Sequence, residues 1–200
     1  VLAYFGAKSV PGLLELLRAK EDEGLRLDVV AALGRIGDRR ATDAILPFLK
    51  LPPEKRRVAL SALGSIADPR TESVLIQALR SEQDDPDARA QVALGLGAIG
   101  TPRALRALQD ALGELNLTVA DSAALGLQRA GAKALPYLAQ AARSENPAVR
   151  RRATVALSGI ADPQSVALLT GLLNDPAPEV ARAAADALGQ VNRPEAVPVL

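Results

Sequence analysis

The chain has 200 residues and a formal net charge of +1, and it contains no cysteine, histidine, methionine or tryptophan. Those absences exclude disulfides and thiolate metal sites, and remove the commonest general base and metal ligand. The near-neutral charge favours neither nucleic acid nor an anionic membrane. Aromatic residues are confined to Tyr4, Phe5, Phe48 and Tyr137, so the expected core is Leu and Ala on closely packed helices. No apolar run reaches the roughly 18 residues that span a bilayer. A soluble chain is expected, with the cytoplasm the favoured compartment. The first residue is Val1 rather than Met, which reads as an excised or processed piece of a longer array.

One phrase organises the rest. It stands as VVAALGRIG at 29–37, ATVALSG at 153–159 and AAADALG at 183–189. Its Leu falls at Leu2, Leu33, Leu63, Leu96, Leu127, Leu157 and Leu188, a period of about 31 residues. Three residues later stand Phe5, Ile36, Ile66, Ile99, Ala130, Ile160 and Val191, followed by turns such as Asp68-Pro69, Thr101-Pro102, Asp162-Pro163 and Asn192-Arg193-Pro194. Asp or Thr before Pro is an N-cap followed by a first-turn proline, so a helix restarts there. A second break, at Asp85-Pro86, Asn146-Pro147 and Asp175-Pro176-Ala177-Pro178, launches the helix that carries the phrase.

Each unit is therefore a pair of antiparallel helices, A then B. In chain order the spacing predicts A 9–20, B 24–36, A 40–50, B 54–66, A 70–81, B 86–99, A 102–114, B 117–130, A 132–144, B 147–160, A 163–174 and B 178–191. Val1 to Gly6 is read as the tail of a preceding B, and Pro194 to Leu200 as the start of a further A. The expected fold is all-α, a single α-solenoid over 1–200. Its six repeat units fall at about 7–37, 38–67, 68–100, 101–131, 132–161 and 162–192, with partial units at both ends.

The phrases Val149-Arg150-Arg151-Arg152-Ala153-x-x-Ala156-Leu157 and Ala183-Ala184-Ala185-x-Ala187-Leu188-Gly189 resemble the B helix of HEAT repeats. The short unit and the Ile-Gly-Asp ending resemble the phycobilin-lyase type of HEAT-like repeat. That resemblance implies a right-handed superhelix of helix pairs, with A helices on the convex side and B helices lining the concave side. Members of the family include bilin lyases, an iron-dependent hydroxylase, DNA glycosylase relatives, scaffolds and designed binders. Fold analogy does not choose among these activities. The hydroxylase type needs paired His-Glu iron ligands, which a chain without histidine lacks.

At 100° per residue, the positions three, four and eight before the marker Leu, and three after it, share its face. Positions two, five and six before it point the other way, onto the expected concave face. These are Leu27, Asp28 and Ala31; Arg57, Val58 and Ser61; Ala90, Gln91 and Leu94; Asp121, Ser122 and Leu125; Arg151, Arg152 and Val155; and Arg182, Ala183 and Asp186. Leu94, Leu125 and Val155 hold one position in three consecutive units and form an expected apolar strip flanked by Arg57 and by Arg151, Arg152 and Arg182. Such a strip invites an acidic, amphipathic peptide or helix. The expected partner-binding residues are Arg57, Val58, Gln91, Leu94, Asp121, Leu125, Arg151, Arg152, Val155, Arg182 and Asp186.

Arg26, Arg56, Arg89 and Arg150 recur seven before the marker, about 20° from it, where an unpaired charge is costly. We read them as paired with cap carboxylates or helix-end carbonyls of their own or the next unit. The carboxylates of Glu21, Asp22 and Glu23, and of Glu82, Asp84, Asp85 and Asp87, lie in turns and lack the spacing of a calcium loop. No catalytic constellation, metal site or cofactor is expected. The reading is a non-enzymatic protein-protein interaction scaffold. Alternatives are a HEAT-like domain of an enzyme or lyase binding a tetrapyrrole or nucleic acid, a structural spacer, and an engineered repeat binder. Nucleic acid is disfavoured because no aromatic falls on the concave face. Apolar ends at Leu2, Phe5, Val197, Val199 and Leu200 lead us to expect continuation of the array or end-to-end self-association.

Overall fold

The computed structural model describes residues 2–19, 22–81 and 83–191, and among them every regular element is helical. The chain forms two compact units, Val1–Ile99 and Gly100–Leu200. In the first, α1 (Leu2–Arg18) and α2 (Glu23–Ile36) precede α3 (Thr42–Ile45), α4 (Pro53–Ile66), α5 (Glu72–Leu79) and α6 (Pro86–Ile99). In the second, α7 (Pro102–Ala111), α8 (Leu117–Ala130), α9 (Leu135–Ala141), α10 (Pro147–Ser158), α11 (Pro163–Leu172) and α12 (Pro178–Val191) follow. Single 3-10 turns open several of the A helices. Each unit repeats the helix pair of an α-solenoid, and the B helices stack: α2 on α4 on α6, and α8 on α10 on α12.

The helices begin where side chains accept the first free amides. Asp22 accepts from the Gly24 and Leu25 amides, Asp85 from Ala88, Asn116 from Val119 and Asn146 from Ala148. At the A helices Asp38, Asp68, Thr101 and Asp162 do the same. Proline at the first helical position loses no intrahelical hydrogen bond there. Helix α2 ends at Gly37 with φ +73°. Ala67 ends α4 in the same left-handed region, at φ +49°, with its amide bonded to the Leu63 carbonyl.

The repeated phrase faces inward. Leu33, Leu63, Leu96, Leu127 and Leu157 are each fully buried, and burial of one such side chain stabilises by about 1.5–3 kcal/mol. The small residues beside them bring the B helices close. A Cβ on Gly64 would lie 2.6 Å from the Gln91 carbonyl oxygen, and one on Gly34 would lie 2.6 Å from the Ala62 Cα. A Cβ on Gly95 would meet the Gly64 carbonyl. At these crossings the obstacle is backbone, so a larger side chain would force the helices apart.

Two expectations change. The break expected between Gly6 and Ser9 is absent, because α1 runs unbroken from Leu2 to Arg18 with Pro11 inside it. Proline at 11 has no amide to give the Ala7 carbonyl; the Arg40 guanidinium supplies that bond at 2.9 Å. The A helix expected over 40–50 is also split, with the short α3 followed by a 3-10 segment over 46–50 that contains Pro47. The expected ends (the side chains of Leu2 and Phe5, and residues 192–200) lie outside the described residues.

Candidate partner-binding face

The four arginines of the core face show how the fold uses its charges. In α4, Arg56 reaches the Asp84 carboxylate in the turn of the next helix pair, its Nε donating at 2.8 Å. In α10, Arg150 makes two bonds to Asp175, at 2.7 and 2.8 Å, and donates to the Ser144 and Glu145 carbonyls. Its guanidinium bonds hold the Asp175 carboxyl below the ordinary range, and Arg150 is raised in turn. Arg89 donates to the Leu79 carbonyl at the end of α5, at 2.9 and 2.7 Å. Arg26 departs from this pattern. The equivalent turn of the next helix pair reads Lys50-Leu51-Pro52, without a carboxylate. Its Nε is buried with no hydrogen bond, and the guanidinium stacks 5.0 Å from the Phe48 ring centre.

Facing away from this core, the expected binding positions fall on B helices in both units. In the first, Arg57 and Gln91 are exposed while Val58 and Leu94 are half-buried. In the second, the apolar side chains of Leu125 and Val155 are 46% and 47% exposed. Asp121, Arg151, Arg182 and Asp186 are exposed too, and Arg151, Arg182 and Asp186 make no hydrogen bond or ion pair among the described residues.

Arg152 departs from the expected set. It is only 9% exposed. Its Nη1 donates to the Leu112 carbonyl at the end of α7 at 2.9 Å, and its Nε to Asp121 on α8 at 2.9 Å. Five residues before the marker, its side chain leans onto the preceding B helix rather than out to solvent, so it is a tie inside the fold. The Asp121 bond links α8 to α10. Leu125 stands one turn beyond Asp121, and Val155 one turn beyond Arg152, so both apolar side chains lie on the same side of the tie.

Residues two after the marker were missed. A step of about 200° also points away from the core, and it falls on Arg35 and Ser65. Both line a hollow in the first unit with Arg57, Ser61 and Gln91, a cavity volume of about 350 Å³. Counting forward from the marker as well as back would have found them. Among the described residues no cluster of three or more acidic side chains is arranged to hold a metal ion. No helix there is long and apolar enough to cross a membrane.

The sequence profile for HEAT repeats matches residues 45–128, 113–177 and 135–200, and that for the PBS lyase HEAT-like repeat matches 25–50. No curated protein matches the chain. Among solved structures, a designed armadillo repeat protein in complex with the peptide (KR)4 aligns at TM-score 0.54 and 15% identity, covering 91% of this chain and 99% of that one. An engineered protein aligns at TM-score 0.54 and 19% identity, covering 90% and 96%. The complex of CpcE and CpcF of phycocyanin lyase from Nostoc sp. PCC7120 aligns at TM-score 0.51 and 23% identity, covering 76% and 65%. At such identities these likenesses speak for the fold. Because the HEAT profile covers most of the sequence, and the buried phrase repeats through both units, this chain belongs to the HEAT-repeat proteins.

Proposed function

We propose that the chain is a protein-protein interaction scaffold that holds a peptide or protein segment on the outward faces of its B helices. The observation that carries this is the exposed pair Leu125 and Val155, at equivalent positions on the packed helices α8 and α10, with Arg151, one turn before Val155, making no hydrogen bond or ion pair among the described residues. Isolated exposed apolar residues are ordinary. Two at equivalent positions on stacked helices, beside uncommitted arginines, suit an amphipathic segment with acidic residues. The designed armadillo neighbour bound to (KR)4 shows a repeat array of this general architecture holding a peptide.

The test is selection of binders from a phage-displayed peptide library on the full chain, followed by affinity measurement on a double variant, Leu125→Asp with Val155→Asp. Both side chains are about half exposed, so helicity and the urea midpoint should stay within error. Affinity for the selected peptides should fall at least tenfold. Peptides that bind the double variant as well as the parent would remove this face from consideration.

A further inference from the structure

The hollow on α2, α4 and α6 carries charge of one sign. Its lining includes two guanidinium groups, Arg35 and Arg57, and no Asp or Glu. Elsewhere in this unit Arg40, Arg56 and Arg70 are bonded to Asp38, Asp84 and Asp68. Arg35 makes no hydrogen bond or ion pair among the described residues. Arg57 gives only its Nε, to the Glu54 carbonyl of its own helix at 3.0 Å, so both Nη groups are uncommitted. The lining also includes the polar residues Ser61, Gln91 and Ser65, the last of which donates its hydroxyl to the Ser61 carbonyl. The floor is low because Gly34 lets α2 approach Ala62 of α4. Apart from Val58 and the two arginines, the lining residues are small or polar, so the hollow is open to a partner's side chain.

We propose that this hollow takes the side-chain carboxylate of an acidic residue in a bound peptide. The proposal rests on the outward B-helix face being the binding surface, and it adds the chemical class of the anchor. A guanidinium fork matches a carboxylate in two parallel bonds. Arg35 and Ser65 stand in the last turns of their helices, whose carbonyl ends repel a dianion more strongly than a monoanion. A carboxylate is therefore favoured over a phosphate.

The experiment measures fluorescence anisotropy of two dye-labelled octapeptides, (DE)4 and its neutral counterpart (NQ)4, on the full chain. We expect (DE)4 to bind and (NQ)4 not to. Arg35→Gln and Arg57→Gln should each weaken (DE)4 about threefold and together about tenfold, the scale of exposed charge pairs, with unchanged circular dichroism. Undiminished (DE)4 binding in the double variant overturns the hollow while leaving the wider face intact. Failure of (DE)4 to bind, when a library-selected peptide still depends on Leu125 and Val155, has the same meaning. If neither class of peptide binds, the face itself falls. Stronger competition by inorganic phosphate than by acetate at equal ionic strength overturns the choice of carboxylate.

Discussion

Replacing Arg152 with alanine separates a side chain that holds the fold from one that meets a partner. Three losses follow from its surroundings. The Leu112 carbonyl, buried at the end of α7, loses a charge-assisted bond of 2.9 Å, a loss of about 1.5–3 kcal/mol. The buried alkyl stem leaves a gap worth roughly another 1 kcal/mol. The bond to Asp121 adds less than about 0.5 kcal/mol, because that carboxylate is 67% exposed and screened by solvent. Arg152→Ala should therefore destabilise by about 2.5–4.5 kcal/mol, and Asp121→Ala by less than about 1 kcal/mol. Urea unfolding followed at 222 nm reads both. Equal and small effects would show that the Leu112 bond does not hold α7 to α10, and would return Arg152 to the candidate binding set.

The remaining predictions concern other charges. Leu51 lines the pocket that holds Arg26 and Phe48 and precedes α4 by the same two positions that separate Asp84 from α6. Leu51→Asp should thus give the half-buried Arg26 the acceptor that Arg56 already has, raising stability by about 1 kcal/mol net of lost apolar burial; a lower urea midpoint would refute the equivalence. Hydrogen bonds from Arg70 hold Asp68 at a pKa of about 2. A carboxylate depressed in the fold contributes stability above its unfolded pKa, and that contribution is lost as pH falls from about 4 through about 2. Asp68 is 4% exposed but its partner is 60% exposed, so screening limits the loss at pH 2.5 to about 1 kcal/mol. In Asp68→Asn the change in urea midpoint between pH 5 and 2.5 should shrink by that amount, and an unaltered pH dependence would mean that Asp68 is not held low.

The fold was legible because its signals are local and repeated. A Leu every thirty-odd residues, with small residues one turn away, marks a buried face, and Asp, Thr or Asn before Pro marks a helix start without tertiary knowledge. The arginines seven before the marker were legible as structural for the same reason, since a charge on that face must find an acceptor. Contacts between distant residues were not legible. Nothing local tells that Arg40 would replace the amide missing at Pro11, so α1 read as two segments. Arg152 sits at an angle that a bare helix turns toward solvent; only the neighbouring α8 and the end of α7 draw it inward. The face angle picked out Arg57, Leu125 and Val155. Arg35 lay beyond the positions counted, although the same angle reaches it.

The bonds from Arg56 to Asp84 and from Arg150 to Asp175 join one helix pair to the turn of the next. Donor and acceptor thus belong to different repeats, and a repeat moved or copied alone carries a donor without its acceptor. The helix pair holding Arg26 already stands before a turn with no carboxylate, and there an aromatic ring takes the charge. Repeats of this chain are consequently not interchangeable modules. Their order is part of the sequence information, and shuffling or duplicating them would require the turns to be rewritten along with the helices.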